Sequence, residues 1–260
     1  MPALSVIIIT KNEAHRIRRC LESVHWADEI VVVDSGSSDN TLAICREFTD
    51  KVFVRPFDNF SNQKNAALDR ALGEWVLSID ADEVVTAELA REIRERIRSD
   101  AARYAAYSVR RENYICGRPI RHVFQNDVQV KLLKRGACRY FKSVHEDLDV
   151  KRSLGMLESP LLHYNSDNLR EFVRKQDLYS TLEAQAKFEK GERFRLVKLV
   201  LSPPRTFVFR YVMIGGYKDG WMGFVIAAVL AYSVFQIHRK MFALGKSVEV
   251  ERRVGENRSR

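Results

Sequence analysis

The sequence predicts an α/β fold, a mostly parallel sheet with helices on both faces, followed by a C-terminal helical region that associates with a membrane. Two observations carry this expectation. Over roughly the first hundred residues, short β-branched apolar runs alternate four times with segments of helical periodicity. Such alternation means crossover connections, hence parallel strands buried on both faces. From Leu196 onward, long apolar runs are mixed with eleven Lys or Arg against four Asp or Glu. Cations set among apolar residues suit an anionic membrane surface better than a nucleic-acid duplex.

The elements follow in order. "LSVIIIT" reads as a buried strand, and "EAHRIRRCLESV" as a helix with Ile17, Cys20, Leu21 and Val24 on one face. "DEIVVVD" is a second strand ending at Asp34 in a Gly/Ser-rich turn. Asp39 or Asn40 then caps the helix "DNTLAICREF". "KVFVRPF" is a third strand, and "SNQKNAALDRALG" a helix closed by Gly73. "EWVLSID" is the fourth strand, and Thr86 is placed to cap "TAELAREIRERI". Beyond about residue 104, "YAAYSVRRENYICG" and "DVQVKLLKRGACRYF" read as antiparallel strands around turns at Gly117 and Gly136. "SDNLREFVRKQDLYSTLEAQAKFEKG" is a long polar helix ending near Gly191.

Composition narrows the class. An apolar share of 46% fits a chain that buries a core, and disorder is not expected. Cys20, Cys45, Cys116 and Cys138 are widely spaced and form no CxxC pair, so free thiols in a reducing compartment are expected rather than zinc. "LSVIII" does not pattern as a leader. Neither a dinucleotide-binding GxGxxG nor a P-loop is present.

In open parallel sheets, ligands bind beyond the carboxyl ends of the strands. Asn12 and Glu13, Asp34, and the pair Asp80 and Asp82 stand at three such ends and should converge on one crevice. Two carboxylates one residue apart repel each other unless a divalent cation lies beside them. Mg²⁺ or Mn²⁺ prefers oxygen ligands and shares them with substrate phosphates. The plainer reading has Asp80 capping the next helix and Asp82 solvated, but Thr86 is the better cap.

"LSVIIITKNEAHRIRRCLESV", "IVVVDSGSSDNT", "NQKNAALDRALGEWVLSIDADE" and "SVHEDL" resemble, in the same order and spacing, family-two glycosyltransferases of the GT-A fold. The likeness is strongest to the branch with lipopolysaccharide core glucosyltransferases, and it spans residues 4 to about 148. It implies that Thr10, Asn12 and Glu13 line a nucleotide pocket and that Asp34 contacts the base, usually uracil. Many relatives carry a second Asp where this chain has Ser35. Lys64, with Asn65 beside it, matches a basic position near the donor phosphates. Asp80 and Asp82 match the metal-binding Asp-x-Asp motif, with Asp80 also on the nucleotide-sugar side. Glu146 stands where this branch carries its His-Glu pair and is expected as the catalytic base, with His145 orienting it or touching the metal or diphosphate. Asp147 and Asp149 compete for that role, and a solvated turn is the bland alternative. Lys131 matches a position that is often Arg and could hold the acceptor or a loop; read plainly, it is an exposed strand residue.

The expected organisation is a GT-A catalytic domain over 1–165, a connecting helix over 166–195 and a basic, apolar helical tail over 196–260. Within the tail, Pro203 and Pro204 are expected to break "LVKLVLSPPRTFVFRYVMI" into two short segments. Residues 220–237 are apolar for 18 residues, near the lower limit for spanning a bilayer. Interfacial helices on the cytoplasmic face of the plasma membrane are favoured; one marginal or re-entrant insertion at 220–237 and a buried helical subdomain are the alternatives. The function implied is inverting, metal-dependent transfer of a hexose from a UDP-sugar to a lipid-anchored saccharide such as lipopolysaccharide inner core. A polyprenyl-phosphate sugar synthase and a non-catalytic membrane adaptor that keeps the fold are the rivals.

Overall fold

The computed structural model describes residues 3–99, 104–125, 127–137, 139–141, 147–148 and 154–258. Strand β1 (Leu4–Thr10) leads to helix α1 (Ile17–Ser23), β2 (Glu29–Asp34) to α2 (Thr41–Arg46), and β3 (Val52–Val54) to α3 (Phe60–Leu68). Then β4 (Trp75–Asp80) precedes a short β5 (Glu83–Val85) and α4 (Ala87–Ser99). Strands β6 (Ala106–Ile115), β7 (Arg118–Ile120), β8 (Val128–Lys134), β9 (Tyr140–Phe141), β10 (Asp147–Leu148) and β11 (Leu154–Ser166) come next. Helices α5 (Leu169–Glu189), α6 (Leu196–Val208) and α7 (Gly220–Arg258) follow. The chain divides into two compact units, Met1–Tyr114 with Asn126–Asn165, and Ile115–Gln125 with Ser166–Arg260.

The first unit is built on a sheet of order β3-β2-β1-β4-β8-β6-β11-β5. β1 pairs in parallel with both β2 and β4, and β2 in parallel with β3, while β8 is antiparallel to β4 and β6. The parallel half is the one that alternation with helices dictates; the antiparallel half begins where the sequence turns to strand after strand. Successive side chains of a strand face opposite ways. Val6 and Ile8 of β1 therefore pack with α1, α2 and α4, through Cys20, Leu21, Ile44, Leu89 and Ile93. Ile7 packs the other way with Ala67 and Leu68 of α3. Two apolar layers on one sheet explain why these strands read as unbroken apolar runs. The Thr86 hydroxyl accepts from the Leu89 amide at 3.1 Å and caps α4 as expected.

Gly73 does not close α3, which ends five residues earlier at Leu68. Its requirement is space. A Cβ there would lie 2.5 Å from the Ser5 amide nitrogen and 2.8 Å from the Trp75 carbonyl oxygen. Backbone atoms cannot step aside as a flexible side chain can. Gly73→Ala is expected to cost about 1–3 kcal/mol, read from the urea midpoint.

In the second unit, Asn168 caps α5 by accepting from the Glu171 amide at 2.9 Å. A core of Ile115, Ile120, Val123, Phe172, Met222 and Ile226 holds α5 and α7 to the 115–125 segment. Pro203 and Pro204 do not break the chain: α6 runs through both. Proline's fixed φ is itself helical, and two adjacent prolines confine the lost hydrogen bonds to one turn. The disturbance surfaces just beyond, where Phe209–Met213 winds as a π-helix and the Ile214 amide reaches back to the Phe209 carbonyl at 3.0 Å. α7 is far longer than the apolar run that opens it, at 39 residues.

Candidate active site

Parallel pairing sets Thr10 beside Asp34 and Ile9 beside Asp80. The carboxyl ends of β1, β2 and β4 thus share one edge, where the three polar strand ends were expected to meet. The loops leaving this edge are tied to one another. Asp34 is buried, and one of its oxygens accepts from the Gly36 and Ser37 amides at 2.8 Å each while the other accepts from the Ser37 hydroxyl. Asn12 adopts a left-handed φ of 54°, its amide donates to the Ser37 hydroxyl at 2.8 Å, and its side-chain oxygen accepts from the Ser38 amide at 2.8 Å. Asn tolerates that conformation better than most residues. The Glu13 amide donates to the Thr41 hydroxyl at 2.9 Å, and its carboxylate stands 3.4 Å from Arg16. The Thr10 hydroxyl is buried and has no hydrogen-bond partner among the described residues.

Lys64 comes from α3, whose start Asn59 caps by accepting from the Asn62 amide at 2.8 Å. Its ammonium lies 3.3 Å from Asp80 Oδ1 and 5.5 Å from the centre of the Tyr140 ring. Asn65 beside it both donates to and accepts from the Tyr140 backbone, at 2.9 and 3.0 Å. The other oxygen of Asp80 lies 3.0 Å from Lys131 Nζ. Lys131 is not an exposed strand residue: it is 3% exposed, because β8 lies in the middle of the sheet beside β4.

Behind Asp80 runs a buried polar network. Lys131 also donates to Glu83 Oε2 at 2.6 Å, and the same oxygen accepts from the Asp80 amide at 2.9 Å. Glu83 is 0% exposed, and its second oxygen accepts from Arg111 at 3.2 Å. Arg111 then forks onto Asp127 with bonds of 3.1 and 3.0 Å. Asp127 accepts from the Asn113 amide nitrogen at 2.8 Å, and Asn113 Oδ1 lies 2.7 Å from His163 Nδ1. His163 Nε2 closes the circuit 3.5 Å from Asp82 Oδ2. Burial alone would raise the Asp80 pKa, but Lys131, Lys64 and Arg111 outweigh it and hold the carboxyl well below the usual range. For Lys131, burial works against the charge, and Asp80 and Glu83 more than restore it, so its pKa is raised.

The network also fixes a tautomer. Asp127 is an acceptor, so the Asn113 group facing it is the NH₂ and the group facing His163 is the carbonyl oxygen. His163 Nδ1 must therefore carry a proton, which leaves Nε2 directed at Asp82. His163 Nε2 and Asp82 Oδ2 face each other at 3.5 Å, close enough for both to reach one cation. A carboxylate oxygen and an imidazole nitrogen, the latter oriented by an amide behind it, are a fitting donor set for a divalent ion. Asp80, by contrast, has an ammonium on each oxygen.

His145, Glu146 and Asp149 lie outside the described residues, and Asp147 is described only as part of β10. Sequence reasoning did not single out Glu83, Arg111, Asn113, Asp127 or His163. A polar residue set against an apolar run, as Glu83 in "DEVV" and His163 in "PLLHYN", was the available signal.

A parallel half-sheet extended by antiparallel strands, with acidic residues on the edge where β1, β2 and β4 end, defines a GT-A glycosyltransferase fold. The chain belongs to glycosyl transferase family 2, whose domain matches residues 5–146. It is 31% identical over 248 residues to the lipopolysaccharide core biosynthesis glycosyltransferase LpsC of Rhizobium meliloti (strain 1021), covering 92% of each chain. An uncharacterized glycosyltransferase of Rickettsia felis is 28% identical over 257 residues, 90% of this chain and 88% of that one. Among solved structures, the mannosyltransferase PcManGT from Pyrobaculum calidifontis, in complex with GDP-Man and Mn²⁺, shares the fold with a TM-score of 0.55. It is 15% identical and covers 92% of this chain and 87% of its own. The protein is a glycosyltransferase.

Proposed function

We propose that this enzyme transfers a hexose, with inversion, from a UDP-sugar to a lipid-anchored saccharide such as lipopolysaccharide inner core, on the cytoplasmic face of the plasma membrane. The observation that carries the reading is the Asp82–His163 pair beside the Asp80–Lys64–Lys131 cluster, at the strand-end edge shared with Asp34. Likeness to LpsC supports the acceptor class. In this reading Thr10, Asn12, Glu13 and Asp34 shape the nucleotide pocket, Asp34 through the Gly36–Ser37 turn that it holds. Asp82, His163 and Asp80 would hold a divalent ion, Mg²⁺ or Mn²⁺, and Lys64 beside Asp80 would face the donor diphosphate. When bound, such an ion neutralises charge developing on the leaving diphosphate. Glu146, with His145 beside it, takes the proton from the acceptor hydroxyl, and that oxygen displaces the nucleoside diphosphate from the opposite face of the sugar. Residues 1–165 act as the catalytic domain, 166–195 as a connecting helix, and 196–260 as the segment that meets the membrane.

The test is donor hydrolysis by the purified full chain against a panel of UDP- and GDP-sugars, with Mg²⁺, Mn²⁺ or EDTA. UDP-hexose turnover that EDTA abolishes is expected; turnover indifferent to EDTA, or preference for a GDP-sugar, overturns the metal or donor assignment. Glu146→Gln is expected to slow transfer to a saccharide hydroxyl at least about a hundredfold, since a positioned general base contributes on that order. A phosphate acceptor needs no strong base, so near-full activity of this variant would indicate a polyprenyl-phosphate acceptor instead.

A further inference from the structure

We infer that the protein is monotopic: the exposed face of α6 and its π-helical extension enters an anionic bilayer, and α7 does not cross it. The inference rests on the membrane reading above and makes it specific. By length and composition α7 is long and apolar enough to span, with mean hydropathy 1.7 over its best window in Gly216–Lys246. Its surroundings argue otherwise. Between Val225 and His238 only Tyr232 is exposed. The Ser233 hydroxyl donates to the Gln176 carbonyl of α5 at 3.3 Å. Two turns later, Lys240 Nζ meets the Asp177 carbonyl, the Asp177 carboxylate, and the Ser180 and Thr181 hydroxyls, all within 2.6–2.8 Å. α5 is therefore fastened along α7, and α5 carries eight Asp, Glu, Lys or Arg among its 21 residues. Sinking α7 across a bilayer would take those charges into hydrocarbon, at a cost of a few kcal/mol each. α7 serves instead as the apolar spine on which α5 and α6 pack.

α6 has the opposite character: none of its residues is buried. Val197, Val200, Leu201, Val208, Phe209 and Met213 recur at the spacing of one helical face, and they are 45–72% exposed. Trp221 and Phe224 at the start of α7 add exposed aromatic surface. A contiguous apolar face of this kind on a soluble surface marks an interaction site. Lys198 and Arg205 on the same exposed face, with Lys218 beyond it, select the occupant. Their stems can lie along the apolar face while the charges meet lipid phosphates. A second copy of the chain would bring the same cations against each other; an anionic bilayer complements them.

The experiment uses the full chain with vesicles of phosphatidylcholine, alone or with phosphatidylglycerol, in flotation assays. The wild type is expected to float with the anionic vesicles and to release as salt rises. Leu201→Asp with Val208→Asp should weaken flotation about tenfold or more, with the circular dichroism of the wild type, since both positions face solvent. A C-terminal epitope tag should remain fully open to protease added outside. Flotation unchanged by the double substitution overturns the α6 face, and a protected tag overturns the monotopic arrangement. A wild-type dimer that the substitutions dissociate, without vesicle binding, assigns the face to a second copy and overturns the inference. Failure to float, with no such dimer, removes the membrane reading itself, and the inference with it, while donor hydrolysis stands as a separate measurement.

Discussion

Asp82→Ala is expected to lower turnover by about three orders of magnitude, ~4 kcal/mol of transition-state stabilisation, while leaving the fold intact. The fold should survive because the Asp82 backbone carbonyl still accepts from the Tyr164 amide at 2.8 Å, which is independent of the side chain. The loss should be specific to the ion. Activity of the variant should no longer rise with added Mn²⁺, and calorimetry should show UDP binding that Mn²⁺ does not strengthen. His163→Ala should fall in the same direction. The two substitutions together should cost much less than the sum of their separate effects, because in the proposed site each removes a donor of the same ion. Turnover within twofold of wild type in Asp82→Ala would end the metal assignment. Asn113→Leu provides a further check: it touches neither donor nor acceptor in this reading, yet it frees the His163 ring and should weaken the apparent Mn²⁺ affinity by about tenfold or more.

Lys131→Met is expected to destabilise the protein by about 3–5 kcal/mol. The buried ammonium neutralises two carboxylates, the partly exposed Asp80 at 3.0 Å and the wholly buried Glu83 at 2.6 Å. Removing it leaves Glu83, which is wholly buried, with Arg111 as its remaining cation at 3.2 Å. Pairing Lys131→Met with Glu83→Leu removes both members of the closest contact, and should recover a large part of the loss. Urea midpoints of the two variants measure the difference directly. The acid limb gives an independent reading. The native state holds Asp80 below its unfolded pKa of about 3.9. It therefore contributes stability above that pH, and the contribution drains away as pH falls toward the native value. Without Lys131 the native value rises toward the unfolded one, so less stability is present at neutral pH and the acid transition should begin at a higher pH.

Local patterns revealed the half of the molecule that local patterns build. Val6 to Ile9 and Val31 to Val33 are apolar without a break, and Trp75 to Ile79 is interrupted by Ser78 alone, because both faces of those strands are covered, and that shows in any short window. Asp34 and Asp80 were legible as strand-end residues for the same reason. The network behind them was not, because its members are brought together by antiparallel pairing across long separations. Glu83 and Lys131 are 48 residues apart in the chain, and His163 and Asn113 are 50 apart. A lysine in "VQVKLLK" has the look of a solvent-facing strand residue until the sheet order makes β8 an interior strand. Gly73 misled in another way: a glycine after a helical pattern suggests a cap, but its need is closeness to Ser5, which no window of sequence contains. The prolines of α6 misled because a strong rule about helix interiors was applied although proline's own φ is helical and two adjacent prolines lose their hydrogen bonds within one turn.

The enclosure of Glu83 by Lys131, Arg111 and the Asp80 amide limits how this sequence can drift. A neutral residue in place of Glu83, Lys131 or Arg111 alone strands a charge, so single-step routes to a neutral site are expected to pass through a less stable protein. Lineages that abandon it are therefore expected to have changed at least two of these positions together, and those that have not should keep the same charge at each of them, as Arg in place of Lys131 does.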